Sequence, residues 1–185
     1  MTNSLAKRVI QTRAGGRVER CHTIPHTGSY SVAAHSWGVA MLMFYLWPED
    51  FPRLAAHCLS HDVPEAWVGD IPSPMLRYNP ELKKRVEMVE AHIAADLGLP
   101  SEFGLSSEDY AKLKACDALE FWLWSREQID MGNRFAIDGL HEVERHFAES
   151  PLPTNAWNLY SEFKRVGSLP RQRGIIKEVC DVEGK

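Results

Sequence analysis

Four ionisable residues lie inside or at the end of apolar, helix-like stretches of the sequence. His35 lies in SVAAHSWGVAM, His61 and Asp62 end the run CLSHD, and Asp117 lies in KACDALEFWLW. An aspartate that faces an apolar core is costly without a charged partner, so Asp117 requires an ion pair or a metal. Two imidazoles and two carboxylates form a mixed set of nitrogen and oxygen ligands suited to Mn, Co, Fe, Mg or Zn. We therefore predict that these residues converge on one divalent cation, although each taken singly is also compatible with a structural role.

The cysteines do not form a metal-binding pattern. Cys21, Cys58, Cys116 and Cys180 are scattered along the chain without a CxxC pair, which argues against a closed structural zinc site. Free thiols in a reducing compartment are the simplest interpretation. Four protein ligands on a six-coordinate ion would leave positions for water and substrate, as catalysis requires.

Helices must position these residues, because helical periodicity accounts for almost the whole chain. The fold class is therefore predicted to be all-α. The predicted helices span residues 4–13, 31–47, 52–62, 80–97, 106–131, 134–148 and 154–166. Neighbouring residues of a helix point about 100° apart, so His61 and Asp62 can reach one ion only near a helix end. Pro64, Gly69, Pro72 and Pro74 break the segment that follows and provide such an end.

The length and composition are those of a soluble globular domain, with 44% apolar and 25% charged residues among 185. We predict one domain over residues 1–185, with a core over 15–133, helices packed on it over 134–166, and a tail over 167–185 of undefined order. The net charge of -4 disfavours a nucleic-acid surface. Without an apolar run of membrane-spanning length or a signal-peptide core, the expected protein is cytoplasmic and binds neither nucleic acid nor membrane.

The order H…HD…D resembles that of the HD-domain metal-dependent phosphohydrolases. Within that superfamily, three segments resemble 5′-deoxynucleotidases of the YfbR type and phage dATP triphosphohydrolases. They are RVERCHTIPHTGSYSVAAHSW, HDVPEAWVGDIPSPMLRYN and LKACDALEFWLWSREQIDMGN. An HD pair alone is a weak signal, whereas HDxxE, GDxPxP and KxxDAL in this order are a specific one. The resemblance covers residues 15–133 and implies a compact helical HD-domain bundle of about six or seven helices.

The resemblance implies a phosphohydrolase that cleaves the 5′ phosphoester of a deoxyribonucleotide, either a dNMP or a dNTP such as dATP. The deoxynucleoside would be released, and a triphosphate could bring a second ion. Family analogy also implies a homo-oligomer. Two other functions stay open: another HD-type phosphodiesterase, which the GDIPSP segment disfavours, and a non-catalytic metal-bound nucleotide sensor, which the intact ligand set disfavours.

The resemblance also assigns roles around the predicted metal ligands. Glu65 takes the position of the catalytic glutamate, which would orient the attacking water or relay its proton. Asp70 would contact the sugar hydroxyl or assist the proton transfer. Arg20 matches an arginine that faces the phosphate, and Lys114 would contact a phosphate oxygen or pair with Asp117.

Further positions are predicted to contact the substrate, some of them with residues unusual for the family. Cys21 replaces a tryptophan found in many relatives near the sugar. Pro74 closes the GDIPSP element, Leu76 replaces a common lysine, and Arg77 is the next cation available for the phosphates. Ala34 replaces the glutamate often found before the first histidine, which removes a possible hydrogen-bond partner of that imidazole.

Overall fold

Long helices dominate the computed structural model, which describes residues 4–167. The helices are α1 (Leu5–Gly15), α2 (Val32–Leu46), α3 (Phe51–Ser60), α4 (Glu65–Val68), α5 (Ser73–Tyr78), α6 (Pro80–Leu97), α7 (Ser107–Asp130), α8 (Ile137–Glu149) and α9 (Thr154–Val166). Seven of them have ten or more residues. Over residues 4–167 there is no strand, only an isolated antiparallel bridge between Glu19 and Ser31. The prediction of an all-α bundle is confirmed.

Local sequence signals set most of the helix boundaries. The side chains of Ser31, Asn79 and Ser106 accept hydrogen bonds from backbone N–H groups in the first turns of α2, α6 and α7. Gly98 ends α6 with a φ of 69°, a left-handed conformation that favours glycine. The proline-rich segment after α3 forms the two short helices α4 and α5 rather than one long helix, in agreement with its helix-breaking residues.

The core lies where α2, α3 and α7 pack together. Val39 and Met43 of α2, Leu54 of α3, and Leu113 and Leu119 of α7 are fully buried there. The same three helices carry the predicted metal ligands or end immediately before them. Packing of the core therefore also fixes the relative positions of those ligands.

The two C-terminal helices of the described chain pack against α7. Tyr160 of α9 makes edge contacts with Trp122 of α7 and Phe147 of α8, at ring-centroid distances of 5.4 and 5.1 Å. Trp122 also donates a hydrogen bond from its indole N–H to Glu144 of α8. This aromatic cluster lies on the side of α7 that faces α8 and α9, so it supports the helix that carries Asp117.

Some predictions fall on residues 168–185, outside the described residues; they include the tail and Cys180. Within residues 4–167, none of the helices combines the length and the apolar character that crossing a membrane requires.

Candidate metal centre and active site

The four side chains predicted to bind a metal meet at one place, between α2, α3 and α7. His35 lies in the first turns of α2, His61 and Asp62 follow α3, and Asp117 lies near the middle of α7. Nε2 of His35 is 3.1 Å from Oδ1 of Asp117 and 3.5 Å from Oδ2 of Asp62. Nε2 of His61 is 3.3 Å from both Nε2 of His35 and Oδ2 of Asp62.

These separations suit one divalent cation. Ligand atoms that each lie about 2.0–2.2 Å from a common ion are about 3.0–3.6 Å from their nearest fellow ligands, which is the spacing found here. His35, His61 and Asp62 form a metal-site candidate on geometry alone, with one ligand atom from each lying within 4.8 Å of the others. Asp117 joins this group through its contact with His35.

A hydrogen bond to the backbone prepares the imidazole of His61 to act as a ligand. Its Nδ1 lies 3.0 Å from the backbone carbonyl of Cys58, one turn back in α3. An Nδ1–H donated to that carbonyl leaves the lone pair of Nε2 directed at the cluster. His61 is only 1% exposed in its side chain, so the ring has little freedom to turn away.

Hydrogen bonds and charges within the cluster shift the pKa values of His35 and Asp117. Burial disfavours a charged His35, but hydrogen bonds to Asp117 and Glu120 outweigh it and raise the pKa of His35 to about 9. Burial likewise opposes the charge of Asp117, yet His35 and Lys114 hold the pKa of that carboxyl well below its usual range. A bound cation would replace the proton that His35 shares with Asp117, because a metal ligand histidine must be neutral. The donor set therefore fits a divalent ion.

Arg20 lies directly beside the cluster. Its guanidinium forms an ion pair with Asp62 and stands 5.6 Å from the ring centre of Tyr30. Burial alone would lower the pKa of Arg20, but Asp62 and other nearby acidic groups raise it above its ordinary value. The buried Nε of Arg20 has no hydrogen-bond partner among the described residues, so the guanidinium retains a donor for a ligand.

Glu65 begins α4 close to the cluster. Burial, followed by the negative charge of Asp62, raises the pKa of Glu65 to about 9. One carboxyl oxygen, Oε2, is buried without a hydrogen-bond partner among the described residues. A buried polar atom without a partner is unfavourable, and here it supplies a free proton acceptor or donor within the electrostatic reach of Asp62.

Asp70 ties the loop that contains Arg20 to the turn before α5. Its Oδ2 accepts a hydrogen bond from the backbone N–H of Cys21, at 2.7 Å, and lies 3.4 Å from Nδ1 of His22. Cys21 has a φ of 55°, which is uncommon outside glycine. Burial raises the pKa of the Cys21 thiol to about 12, so this side chain is uncharged at neutral pH. The observed contacts of Asp70 thus position the loop.

Lys114 lies at the rim of the cluster. Its Nζ is 3.1 Å from Oε1 of Glu102 and 3.6 Å from Oδ2 of Asp117, one turn further along α7. Burial alone would lower the pKa of Lys114, but Asp117 and Glu102 outweigh it and raise the pKa. A cation is therefore held next to the predicted metal ligands.

The two remaining predicted substrate contacts, Pro74 and Arg77, lie on α5. The guanidinium of Arg77 forms an ion pair with Glu142 of α8, and its side chain is 56% exposed. Pro74 is an exposed residue in the first turn of α5. The structure does not bring Arg77 into the contacts described for the cluster, because Arg77 is oriented by α8.

Two acidic residues near the site were missed by sequence reasoning. Glu120 accepts hydrogen bonds from His35 and Tyr30, and Glu90 of α6 has its pKa raised to about 7 by burial and by Asp62. Glu120 follows Asp117 by three residues and so lies on the same face of α7. That spacing is a signal that could have identified it.

Sequence comparisons match this chain to a protein family and to individual relatives. The sequence model of the family described as 5′-deoxynucleotidase YfbR-like matches residues 16–157. A dATP triphosphohydrolase of Salmonella phage PMBT28 is 31% identical over 147 residues, which cover 70% of this chain and 71% of that protein. A 5′-deoxynucleotidase of Yersinia pestis (strain Pestoides F) is 28% identical over 114 residues, which cover 55% of this chain and 58% of that protein.

Solved structures support the fold. An HD phosphohydrolase of cyanophage S-2L, bound to dA and one catalytic Zn²⁺ ion, matches with a TM-score of 0.63 at 21% identity, over 85% of this chain and 94% of that one. A protein from Pyrococcus horikoshii OT3 matches with a TM-score of 0.65 at 19% identity, over 88% and 98% of the two chains. The family match extends over most of the helices that build the site. This chain belongs to the YfbR-like 5′-deoxynucleotidase family.

Proposed function

We propose that this protein is a divalent-metal-dependent phosphohydrolase that cleaves the 5′ phosphoester of deoxyribonucleotides and releases the deoxynucleoside. The observation that carries the proposal is the convergence of His35, His61, Asp62 and Asp117, each of which has a ligand atom within 3.5 Å of another member of the set. The names of the relatives support it, since they are a dATP triphosphohydrolase and 5′-deoxynucleotidases.

The four converging residues are the proposed ligands of one cation. When bound, a divalent cation supplies positive charge against the phosphate oxygens and lowers the pKa of a coordinated water towards neutrality. The mixed nitrogen and oxygen set accommodates Zn, Co, Mn, Fe or Mg, and the S-2L enzyme was solved with Zn²⁺. A second ion is proposed only for a triphosphate, whose longer tail carries more negative charge.

Glu65 is the proposed general base and acid. Its unpartnered Oε2 would accept a proton from the water that attacks phosphorus in line with the O5′ leaving group. The same carboxyl would then return that proton to O5′ as the P–O5′ bond breaks. The raised pKa of Glu65 favours the protonated carboxyl that donates to O5′, whereas the positive charge of a bound cation would favour the ionised carboxylate that accepts the proton of the water.

Cations and loop residues complete the proposed substrate site. Arg20, through its free donor, and Lys114, at the rim, would bind the oxygens of the phosphate under attack. Cys21 and Pro74 would border the nucleoside, and Asp70 would hold the Cys21 backbone and contact the sugar hydroxyl.

Arg77 is assigned a conditional role. A phosphate contact would require it to leave Glu142, so it could serve only the distal phosphates of a dNTP.

The experiment that tests the function is a substrate panel with product identification. Purified protein with Mn²⁺ or Co²⁺ is offered dAMP, dATP, dGTP, dTTP and dCTP beside their ribose counterparts. Release of deoxynucleoside with phosphate from monophosphates indicates a nucleotidase, and release of tripolyphosphate indicates a triphosphohydrolase. Cleavage between phosphates, or tight nucleotide binding without any release, would contradict the proposal; the second outcome would favour a sensor.

Three further expectations stay predictions. They are one domain over residues 1–185, a homo-oligomer and a cytoplasmic location. Sedimentation at several protein concentrations tests the assembly directly.

A further inference from the structure

A partly buried carboxylate lies behind His35, on the side away from the proposed metal. Oε2 of Glu120 accepts hydrogen bonds from Nδ1 of His35 and from the hydroxyl of Tyr30. That hydroxyl also lies 3.2 Å from Nδ1 of His35. His35 is 0% exposed and Tyr30 is 2% exposed, so water has little access to either side chain.

This arrangement fixes which nitrogen of His35 is available to a metal. With Nδ1–H donated to Glu120, the Nε2 side faces Asp117 at 3.1 Å and His61 at 3.3 Å. Carboxylates that hold a ligating histidine in this way orient the ring and increase its basicity. We propose that Glu120 is a positioning residue that orients and polarises His35 for the cation; this inference rests on the proposed function.

The neighbouring helix leaves room for Glu120 in particular. A Cβ atom added at Gly38 of α2 would lie 2.5 Å from Cγ of Glu120 and 3.0 Å from its Oε1. Real Cβ atoms essentially never show a contact of 2.5 Å, so a side chain at Gly38 would displace Glu120 from its present position against His35. Each helix thus contributes two residues one turn apart: His35 with Gly38 on α2, and Asp117 with Glu120 on α7.

Tyr30, whose hydroxyl is the other donor to Glu120, is held in place by Trp124. The ring of Tyr30 stacks on Trp124 of α7 with a centroid distance of 4.5 Å and an interplanar angle of 12°. The stacking directs the Tyr30 hydroxyl at Oε2 of Glu120, and that oxygen then accepts from two donors, Tyr30 and His35. A buried polar network with its members satisfied is rigid, and rigidity is what a positioning residue must supply.

Cation affinity tests the inference independently of turnover. Titration of the full chain with Co²⁺, followed by calorimetry and by the visible absorption of the bound ion, gives the dissociation constant. Glu120→Ala should weaken Co²⁺ binding by about 10- to 100-fold, the usual effect of removing such a partner. Glu120→Gln should recover most of the loss, because its carbonyl still accepts from Nδ1 of His35. With saturating cation, the KM for nucleotide should be unchanged in both variants.

Two further variants separate positioning from a general loss of packing. Glu127→Ala removes the same side chain two turns along α7 and should leave Co²⁺ affinity unchanged. Gly38→Ala should weaken Co²⁺ binding in the wild-type background, because it displaces Glu120. In the Glu120→Ala background it should cause no further loss of affinity and should raise the Tm, since alanine is the better helix former.

The results that overturn the inference are specific. Wild-type Co²⁺ affinity in Glu120→Ala, or strictly additive losses in the double variant, would remove Glu120 from its positioning role. A wild-type protein that binds no divalent cation would instead contradict the proposed function itself, so the two failures are distinguishable.

Discussion

The two halves of the candidate site differ in how the fold supports them. The metal half, around His35 and Asp117, lies on the long helices α2 and α7, which also form the core. The substrate half includes α4 and α5, short helices of four and six residues that contain no buried residue. The first half is therefore fixed by the packing that folds the protein, whereas the second half can change its contacts at little cost to stability. Substitutions should follow this division, with loss of the cation in one half and altered substrate binding in the other.

The largest effect is expected in the metal half, at Asp117. Asp117→Ala should abolish stoichiometric metal binding and lower kcat/KM by about 10³-fold or more, because several kcal/mol of transition-state stabilisation are lost. Elemental analysis of the purified protein and a deoxynucleoside-release assay measure the two effects. Asp96→Ala, at an exposed position of α6, is the matched control. An Asp117→Ala protein that keeps its metal would place this residue outside the ligand set.

Glu65 links the two halves, and its loss should separate metal binding from turnover. Glu65→Gln should keep the cation but lower kcat by about 10²- to 10⁴-fold, the range for a lost general acid–base group. Metal content and single-turnover rates are measured on the same preparation. Full activity in Glu65→Gln would remove this residue from the mechanism.

A smaller effect is expected at the rim. Lys114→Met should raise the KM for nucleotide about tenfold with a lesser change in kcat, because a hydrogen bond from a charged group contributes about 1.5–3 kcal/mol. Lys112→Met is a stringent control, since Lys112 lies on the same helix but pairs with Asp50 at 2.7 Å. Steady-state kinetics should separate the two lysines, and equal effects would argue that Lys114 acts only through packing or general charge.

The smallest effect is expected on α5. Arg77→Ala should change kcat/KM for dAMP by less than about twofold, because Arg77 is paired with Glu142 and exposed pairs contribute little. If dATP is a substrate, a larger effect confined to dATP would show that Arg77 reaches the distal phosphates. A large loss with dAMP would contradict the division between the two halves.

The four ionisable residues that stand out in apolar parts of the sequence, His35, His61, Asp62 and Asp117, lie close together in the fold. Asp117 could be recognised because a carboxylate in an apolar helix needs a charged partner, and α6 could be bounded because Asn79 and Gly98 are strong capping residues. Contacts between distant elements could not be read in this way. The bond between Glu120 and His35 depends on the close approach of α2 to α7.

Backbone conformation and tertiary pairing account for the other differences. Asp70 is predicted to contact the sugar hydroxyl or to assist proton transfer, and it also accepts a hydrogen bond from the backbone of Cys21, whose positive φ the sequence did not indicate. Arg77 was expected near the phosphates, but the position of α8 gives it Glu142 as a partner. Both depend on how separate elements meet, which helical periodicity does not specify.

Anomalous diffraction from crystals grown with Zn²⁺ tests the central claim most directly. The account predicts one strong zinc peak coordinated by Nε2 of His35, Nε2 of His61 and oxygens of Asp62 and Asp117, at about 2.0–2.2 Å. A zinc ion bound elsewhere in the molecule, or bound here without His35 or Asp117, would contradict it.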